Sequence, residues 1–337
     1  MGRPLRRRAP AVLAVTIGLL AAVAPGTVRA AGPTVSLTPV GPAGGKGYFV
    51  YSARAGARIT GQVAVVNTST ARGTVLLYPV DATTGQTSGA VYLSRARPRR
   101  DVGAWTRLPT RRVVLGGHGR ALVTFVVRVP HGVRGGQHLG AIVAQPVTPL
   151  HRYGVKSGFH INVQALTVLA LQVNVPARPV QRMMVNGCRV GGPHGYQTIF
   201  IGMGNTGNQF VKGSGSLTVT SAAGRQLKRQ SFAVDTFLPR TAISYPVVLT
   251  GRPLGPGHYR AAVSLTYGSG RHLGRGLGCT VSSHSIVQVF GAANAAQVTR
   301  AGGGSGPSPL VIVLGGAALL ALGFGAAVAM NRRAPRV

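Results

Sequence analysis

The chain has 337 residues, with 37 Lys and Arg against 3 acids, for a formal net charge of +34. Glutamate is absent and the only acids are Asp81, Asp101 and Asp235, which leaves a paired-carboxylate glycosidase almost nothing to work with. A globular protein this basic associates with polyanions or anionic surfaces.

At the start, Arg3, Arg6, Arg7 and Arg8 precede an apolar run, Ala9 to Ala24, and Val28-Arg29-Ala30 places small residues at −3 and −1. Residues 1–30 read as a secretory signal peptide cleaved after Ala30, although an uncleaved anchor fits the same pattern. Residues 31–309 are then expected outside the cytoplasm. Polyanions there are teichoic-acid-like polymers, acidic glycans or lipid headgroups, and nucleic acid is not an expected partner. Two plainer origins of the charge stand beside a binding role. One is the Arg and Gly usage of a GC-rich genome. The other is an exterior that changes charge little in an acidic medium.

From Val35 onward, short strands alternate with turns. Ile59–Val66 alternates in polarity and ends at an Asn67-Thr68-Ser69 turn; Thr74–Val80 follows, then the loop Asp81–Gly89 and a continuation at Ala90–Leu93. A basic loop comes next, with Arg95, Arg97, Arg99, Arg100, Arg107, Arg111, Arg112 and the only tryptophan, Trp105. Arginine supplies bidentate donors to phosphate and carboxylate, so this loop is the candidate wall-binding site; a solvated hairpin face explains the same residues. Trp105 is either a stacking face for a sugar or a core residue closing one end of the fold. Val113–Leu115, Ala121–Val129 and Leu139–Ala144 complete a first unit, 31–155, with no 3.6-residue periodicity. Ile161–Val175 reads as a buried strand leading onward, too short and too polar to span a membrane.

The second unit, 156–290, repeats the plan. Asn205-Thr206-Gly207-Asn208 stands where Asn67 stood, and Gly257-His258 leads into a strand as Gly136-Gln137-His138 does. The spacing from Asn to Gly is 69 residues in the first copy and 52 in the second, a difference that matches the extra basic loop. Cys188 and Cys279 lie near the two ends of this unit, outside the cytoplasm where disulfides persist, and are expected to be bridged rather than free. Gly291–Pro309 is a Gly/Ala/Ser-rich linker. Leu310–Met330 has no charge and would be about 30 Å long as a helix, the thickness of a hydrocarbon core. Arg332, Arg333 and Arg336 follow in a basic cytoplasmic stub, 331–337. A small-residue stripe, Ala317, Ala321, Gly325 and Ala329, would let two such helices approach.

Apparent chemical motifs dissolve in context. Gly202-Met203-Gly204-Asn205-Thr206-Gly207 has glycines at dinucleotide-site spacing, but a strand rather than a helix is expected next. Leu238-Pro239-Arg240-Thr241-Ala242 is like a sortase signal but lies far upstream of the terminal apolar segment. No histidine has metal-type spacing, so no cofactor, metal or catalytic residue is assigned and no enzyme is expected.

The order of parts resembles the WxL-interacting proteins of Gram-positive surfaces. The residues that carry the resemblance are Val65–Ser69, Tyr78–Gly89, Trp105 and Phe125–Ala144 in the first unit, and Phe237–Val247 and Leu254–Tyr267 in the second. It implies a peptidoglycan-binding first domain and a host-binding second one. The expected fold is all-β: two tandem immunoglobulin-like β-sandwiches plus one C-terminal transmembrane helix. The expected function is a membrane-anchored, non-catalytic surface protein that binds peptidoglycan, acidic wall polymers or partner surface proteins. Its alternative is a structural or chaperone-like assembly module acting by strand addition along a sheet edge.

Overall fold

The computed structural model describes residues 34–42, 45–148, 151–154, 160–193, 195–291 and 298. The expected signal peptide, span and stub, and the linker apart from Gly291 and Val298, lie outside the described residues. Among the described residues, no helix is long and apolar enough to cross a membrane.

The first sandwich is built from β1 (Val35–Val40), β2 (Phe49–Ser52), β3 (Arg58–Asn67), β4 (Gly73–Thr84), β5 (Ala90–Tyr92), the one-turn α1 (Val102–Trp105), β6 (Thr106–Arg107), β7 (Arg112–Leu115), β8 (Arg120–Arg128) and β9 (Gly136–Pro146). A hairpin, β10 (His151–Gly154) and β11 (His160–Val163), then leads into β12 (Thr167–Val175). One sheet has the order β1-β3-β8-β6 and the other β2-β12-β9-β4-β5, with β7 also on β4. The period-2 pattern decides which side chains meet between them. Val63 and Val65 of β3, Val123, Phe125 and Val127 of β8, Ile142 and Ala144 of β9, and Leu169, Leu171 and Val173 of β12 form one buried core. Phe49 meets Phe125 edge-on at 5.0 Å between centroids, a geometry that aromatic quadrupoles favour.

This core moves the division between the units. Thr167–Val175, expected beyond a boundary at residue 155, pairs along its whole length with Ala144–Gly136 of β9. Its alternate residues Leu169, Leu171, Val173 and Val175 are buried in the first core, so the passage to the second sandwich comes after Val175.

The second sandwich comprises β13 (Met183–Gly191), β14 (Thr198–Asn205), β15 (Val211–Thr220), β16 (Gln226–Phe237), β17 (Thr241–Val248), β18 (Gly257–Tyr267), β19 (Arg271–Val281) and α2 (Ser283–Phe290). Its sheets run β13-β14-β17 and β16-β15-β18-β19. Between them lie Ile199, Ile201 and Met203 facing Leu217, Val219, Val263 and Leu265. The Cys188–Cys279 disulfide joins β13 to β19 across one side of this sandwich, with Cα atoms 5.3 Å apart. On the other side the Tyr245 hydroxyl donates to the Ala233 carbonyl at 2.7 Å, from β17 to β16. The unit ends in the helix α2. Ser282 caps it through the Ser285 N–H, and Ile286 and Val289 bury its inner face.

The repeated plan is real at atomic detail. Asn67 is fully buried and donates to the carbonyls of Ala71 and Gly116, while its oxygen accepts from the Ser69 N–H. Asn205 is equally buried, donates to the carbonyls of Gln209 and Phe237, and accepts from the Gly207 N–H. Each side chain satisfies the carbonyls of a turn that would otherwise be buried without partners.

Candidate functional site

Two surfaces and one buried junction are the places where chemistry concentrates. The first surface is the basic loop. All seven of its arginines are exposed. Among the described residues the ion pairs are His138–Asp101 and Lys212–Asp235, and neither uses these arginines. The loop backbone is fixed by a carboxylate from a neighbouring strand. Asp81 of β4 is buried and accepts N–H bonds from Arg100, Asp101 and Gly103. Gly103 is required there, because a Cβ would stand 2.5 Å from the Val80 carbonyl carbon and 2.7 Å from the Asp81 carboxylate. Asp81 thus caps α1 from outside. Asp101, at the N-cap position itself, makes no cap bond with its side chain.

Arg95 lies over the Tyr78 ring, 5.3 Å from its centroid. Burial raises the Tyr78 hydroxyl pKa, and the Arg95 charge partly offsets that. Tyr78 and Tyr92 pack over Val80, Ala141 and Val143 on the outer face of the sheet. Trp105 takes the core role of the two read from sequence. It is only 7% exposed, packs in the first core, and its ring lies 4.8 Å from that of His138, so the indole offers no face to a sugar.

The second surface was not found from sequence as a site. β2 pairs in parallel with Leu171–Asn174 of β12. The same edge of Thr167–Ala170 has no pairing strand among the described residues. Val147, Val163, Leu166 and Val168 are 45%, 40%, 52% and 39% exposed at this end of the β9–β12 hairpin. The inner face, Leu169, Leu171, Val173 and Val175, is covered; the outer face carries apolar Val168 and Ala170 beside the open edge and polar Gln172 and Asn174 beyond it. That combination, legible in Ile161–Val175, marks an edge left for something else to pair with. Strands β9 and β4 separate it from the sheet margin that carries β5 and β7, where the arginine loop begins and ends.

The junction between the sandwiches gathers two of the chain's three acids, Asp101 and Asp235. Asp101 accepts from His138 Nδ1 at 2.8 Å, and His138 Nε2 is 2.9 Å from the Arg134 carbonyl. The Arg240 guanidinium lies over the imidazole, with Nη2 3.4 and 3.3 Å from the two ring nitrogens. Asp235 pairs with Lys212 at 2.8 Å, and its own N–H donates to Ser88 Oγ of the first sandwich. The hydrogen bond from Lys212, with further help from the Thr236 N–H, holds the Asp235 carboxyl below the usual carboxylate range.

The sortase-like string Leu238–Ala242 is the docking turn of this junction. The Leu238 N–H donates to Thr84 Oγ1 at 2.9 Å, and Thr84 and Thr241 hydroxyls meet at 2.6 Å. Gly136 passes so close that a Cβ would stand 2.5 Å from the Asn208 carbonyl oxygen. The Gly202–Gly207 run forms strand β14 and a turn.

None of this assembles a catalytic group. The Asp101–His138 pair is two-thirds of a hydrolytic triad, but the nitrogen a general base would use is held by the Arg134 carbonyl, and His138 is 4% exposed. A shallow groove of about 530 Å³ on the second sandwich is lined by Ser214, Ser216, Ser231, Phe232, Ser264 and Thr266; the one ionisable side chain bonded to these hydroxyls among the described residues is His272, 3.3 Å from Thr266 Oγ1. Among the described residues no three His, Cys, Asp or Glu side chains could hold a metal ion.

No protein-family model and no curated protein matches the chain. Solved structures of similar outline do exist. A chain of the chaperone–tip adhesin complex of CFA/I fimbriae biogenesis is 8% identical, with 72% of this chain and 98% of that one covered and a TM-score of 0.36. The Escherichia coli chaperone DraB is 12% identical over 74% and 98%, at 0.32. A chain of the Salmonella enterica SafA pilin–SafB chaperone complex is 10% identical over 74% and 96%, at 0.33. Likeness at this level concerns outline and speaks to neither ligand nor partner.

Proposed function

We propose that this chain is a non-catalytic surface module, tethered to the outer face of a membrane by residues 310–330, that holds or assembles other surface proteins. It does so by adding a partner strand to the open edge of β12. One observation carries the reading: Thr167–Ala170 presents unpaired backbone beside exposed Val163, Leu166 and Val168. Backbone hydrogen bonds would give affinity and alternate apolar side chains specificity. The arginine loop supports a second role, attraction to acidic wall polymers, because seven exposed guanidinium groups stand on a backbone pinned by Asp81. The two surfaces lie on different margins of one sheet, so one molecule can use both.

A photo-reactive residue placed at position 168, and separately at position 97, tests this on intact cells. The first is expected to capture a surface protein and the second an acidic polymer. Capture of glycan alone at position 168 would sink the assembly reading.

A further inference from the structure

The chain keeps three carboxylates; Asp101 and Asp235 lie at the contact between its sandwiches, and Asp81 is buried inside the first. Ordinary proteins unfold in acid because many paired carboxylates must be protonated. Here the second sandwich carries no carboxylate but Asp235, so acid finds few groups to act on inside it. We infer that the junction is an acid-sensitive latch, with Asp101 as its trigger, and that the second sandwich itself is insensitive to the same change.

The geometry gives the mechanism. Both ring nitrogens of His138 face oxygen acceptors, Asp101 Oδ1 and the Arg134 carbonyl. Only the imidazolium donates both bonds. Arg240 of the second sandwich lies on the same ring within 3.4 Å. Two cations are thus stacked, and Asp101 is the anion paired with the imidazole. The other charged groups around the cluster are accounted for. Asp81 is turned to the N–H groups of Arg100, Asp101 and Gly103, Arg134 contributes its carbonyl, and Lys212 and Asp235 pair with each other. Trp105 covers the ring without charge. A proton on Asp101 removes the counter-charge and leaves His138 and Arg240 in contact as like charges, one from each sandwich. Arg240 is also one of three non-glycine residues at positive φ (58°) among the described residues, with its N–H bonded to the Asn205 carbonyl.

Hydrogen exchange on the full chain in detergent tests the latch. Four amides cross the junction: Gln137 to Asn208, Phe210 to Gln137, Asp235 to Ser88 and Leu238 to Thr84. Between about pH 7 and about pH 3 their protection, corrected for intrinsic exchange, is expected to fall at least roughly tenfold while β14 stays protected. Asp101→Asn should show the same loss at neutral pH. Arg240→Gln should abolish the acid response, since no second cation is then left against His138. The latch is overturned if the junction amides keep their protection in acid, if β14 opens with them, or if Arg240→Gln responds to acid like the unaltered chain. If Asp101→Asn simply unfolds the first sandwich, the Arg240→Gln comparison still decides.

Discussion

Replacing Asp81 with alanine removes three hydrogen bonds at once. Its carboxylate oxygens accept from Arg100, Asp101 and Gly103, and the side chain is 6% exposed. A buried donor left unpaired costs about 1–3 kcal/mol, and the space vacated admits water to some of the three, so the loss is about 4 kcal/mol. Asp81→Asn keeps one acceptor and should lose about half of that. The loss must fall on the first sandwich alone, because Asp81 pins the arginine loop and α1 there. The molecule supplies its own reporter: Trp105 is the single tryptophan, buried in the first core beside α1. Urea unfolding followed by its emission is expected to shift by the full amount. The transition of the second sandwich, followed by far-ultraviolet circular dichroism, should stay in place. A change below about 1 kcal/mol at Trp105, or an equal loss in both sandwiches, would refute the claim that this acid is a structural pin.

Reducing the disulfide, or replacing Cys188 and Cys279 with serine, frees a loop whose ends are 91 residues apart; chain entropy puts the cost at about 4.6 kcal/mol, confined to the second sandwich, and calorimetry of the two transitions checks it. Asn67→Ala and Asn205→Ala should each destabilise their own sandwich by about 3 kcal/mol, and the aspartate variants by more, because a second carboxylate oxygen would face two carbonyls. Asp235 is held below the usual carboxylate range, first by its hydrogen bond from Lys212. A depressed carboxyl stabilises the fold above its ordinary range and loses that contribution as pH falls through its folded value. Lys212→Gln should therefore raise the Asp235 carboxyl in a carbon-13 titration with little change in stability, since both side chains are mostly exposed.

The sequence showed what repeats and what alternates. Asn67 and Asn205 could be matched because each ends an alternating strand and each precedes a Gly at the start of another, and the structure gives them the same bonds. Strands β13 and β19 stayed hidden because they lack a clean apolar period. Gly187 interrupts β13 at a bulge, and Gly274, Gly276 and Gly278 leave one face of β19 without side chains. α2 carries β-branched Ile286, Val287 and Val289, which give a weak helix signal, and Ser282 caps its first turn. The junction was illegible for a different reason. Asp81, Asp101, His138 and Arg240 come from four places in the chain and meet only through the β4–β9 register, in which Asp81 faces Gly140, and through the docking of Leu238–Thr241. A signal was present nonetheless. In a chain that has discarded nearly every acid, the few that remain are the ones the fold uses.

The central claim is strand addition at β12, and backbone hydrogen exchange of Thr167–Ala170 tests it most directly. The full chain is compared alone and with the surface protein captured at position 168. Addition of a strand predicts that the amides of this segment, open on one edge in the free protein, gain protection on binding, and that Val168→Lys prevents both the binding and the gain. Protection that appears only around Arg95–Arg112, with Thr167–Ala170 unchanged, would contradict the account.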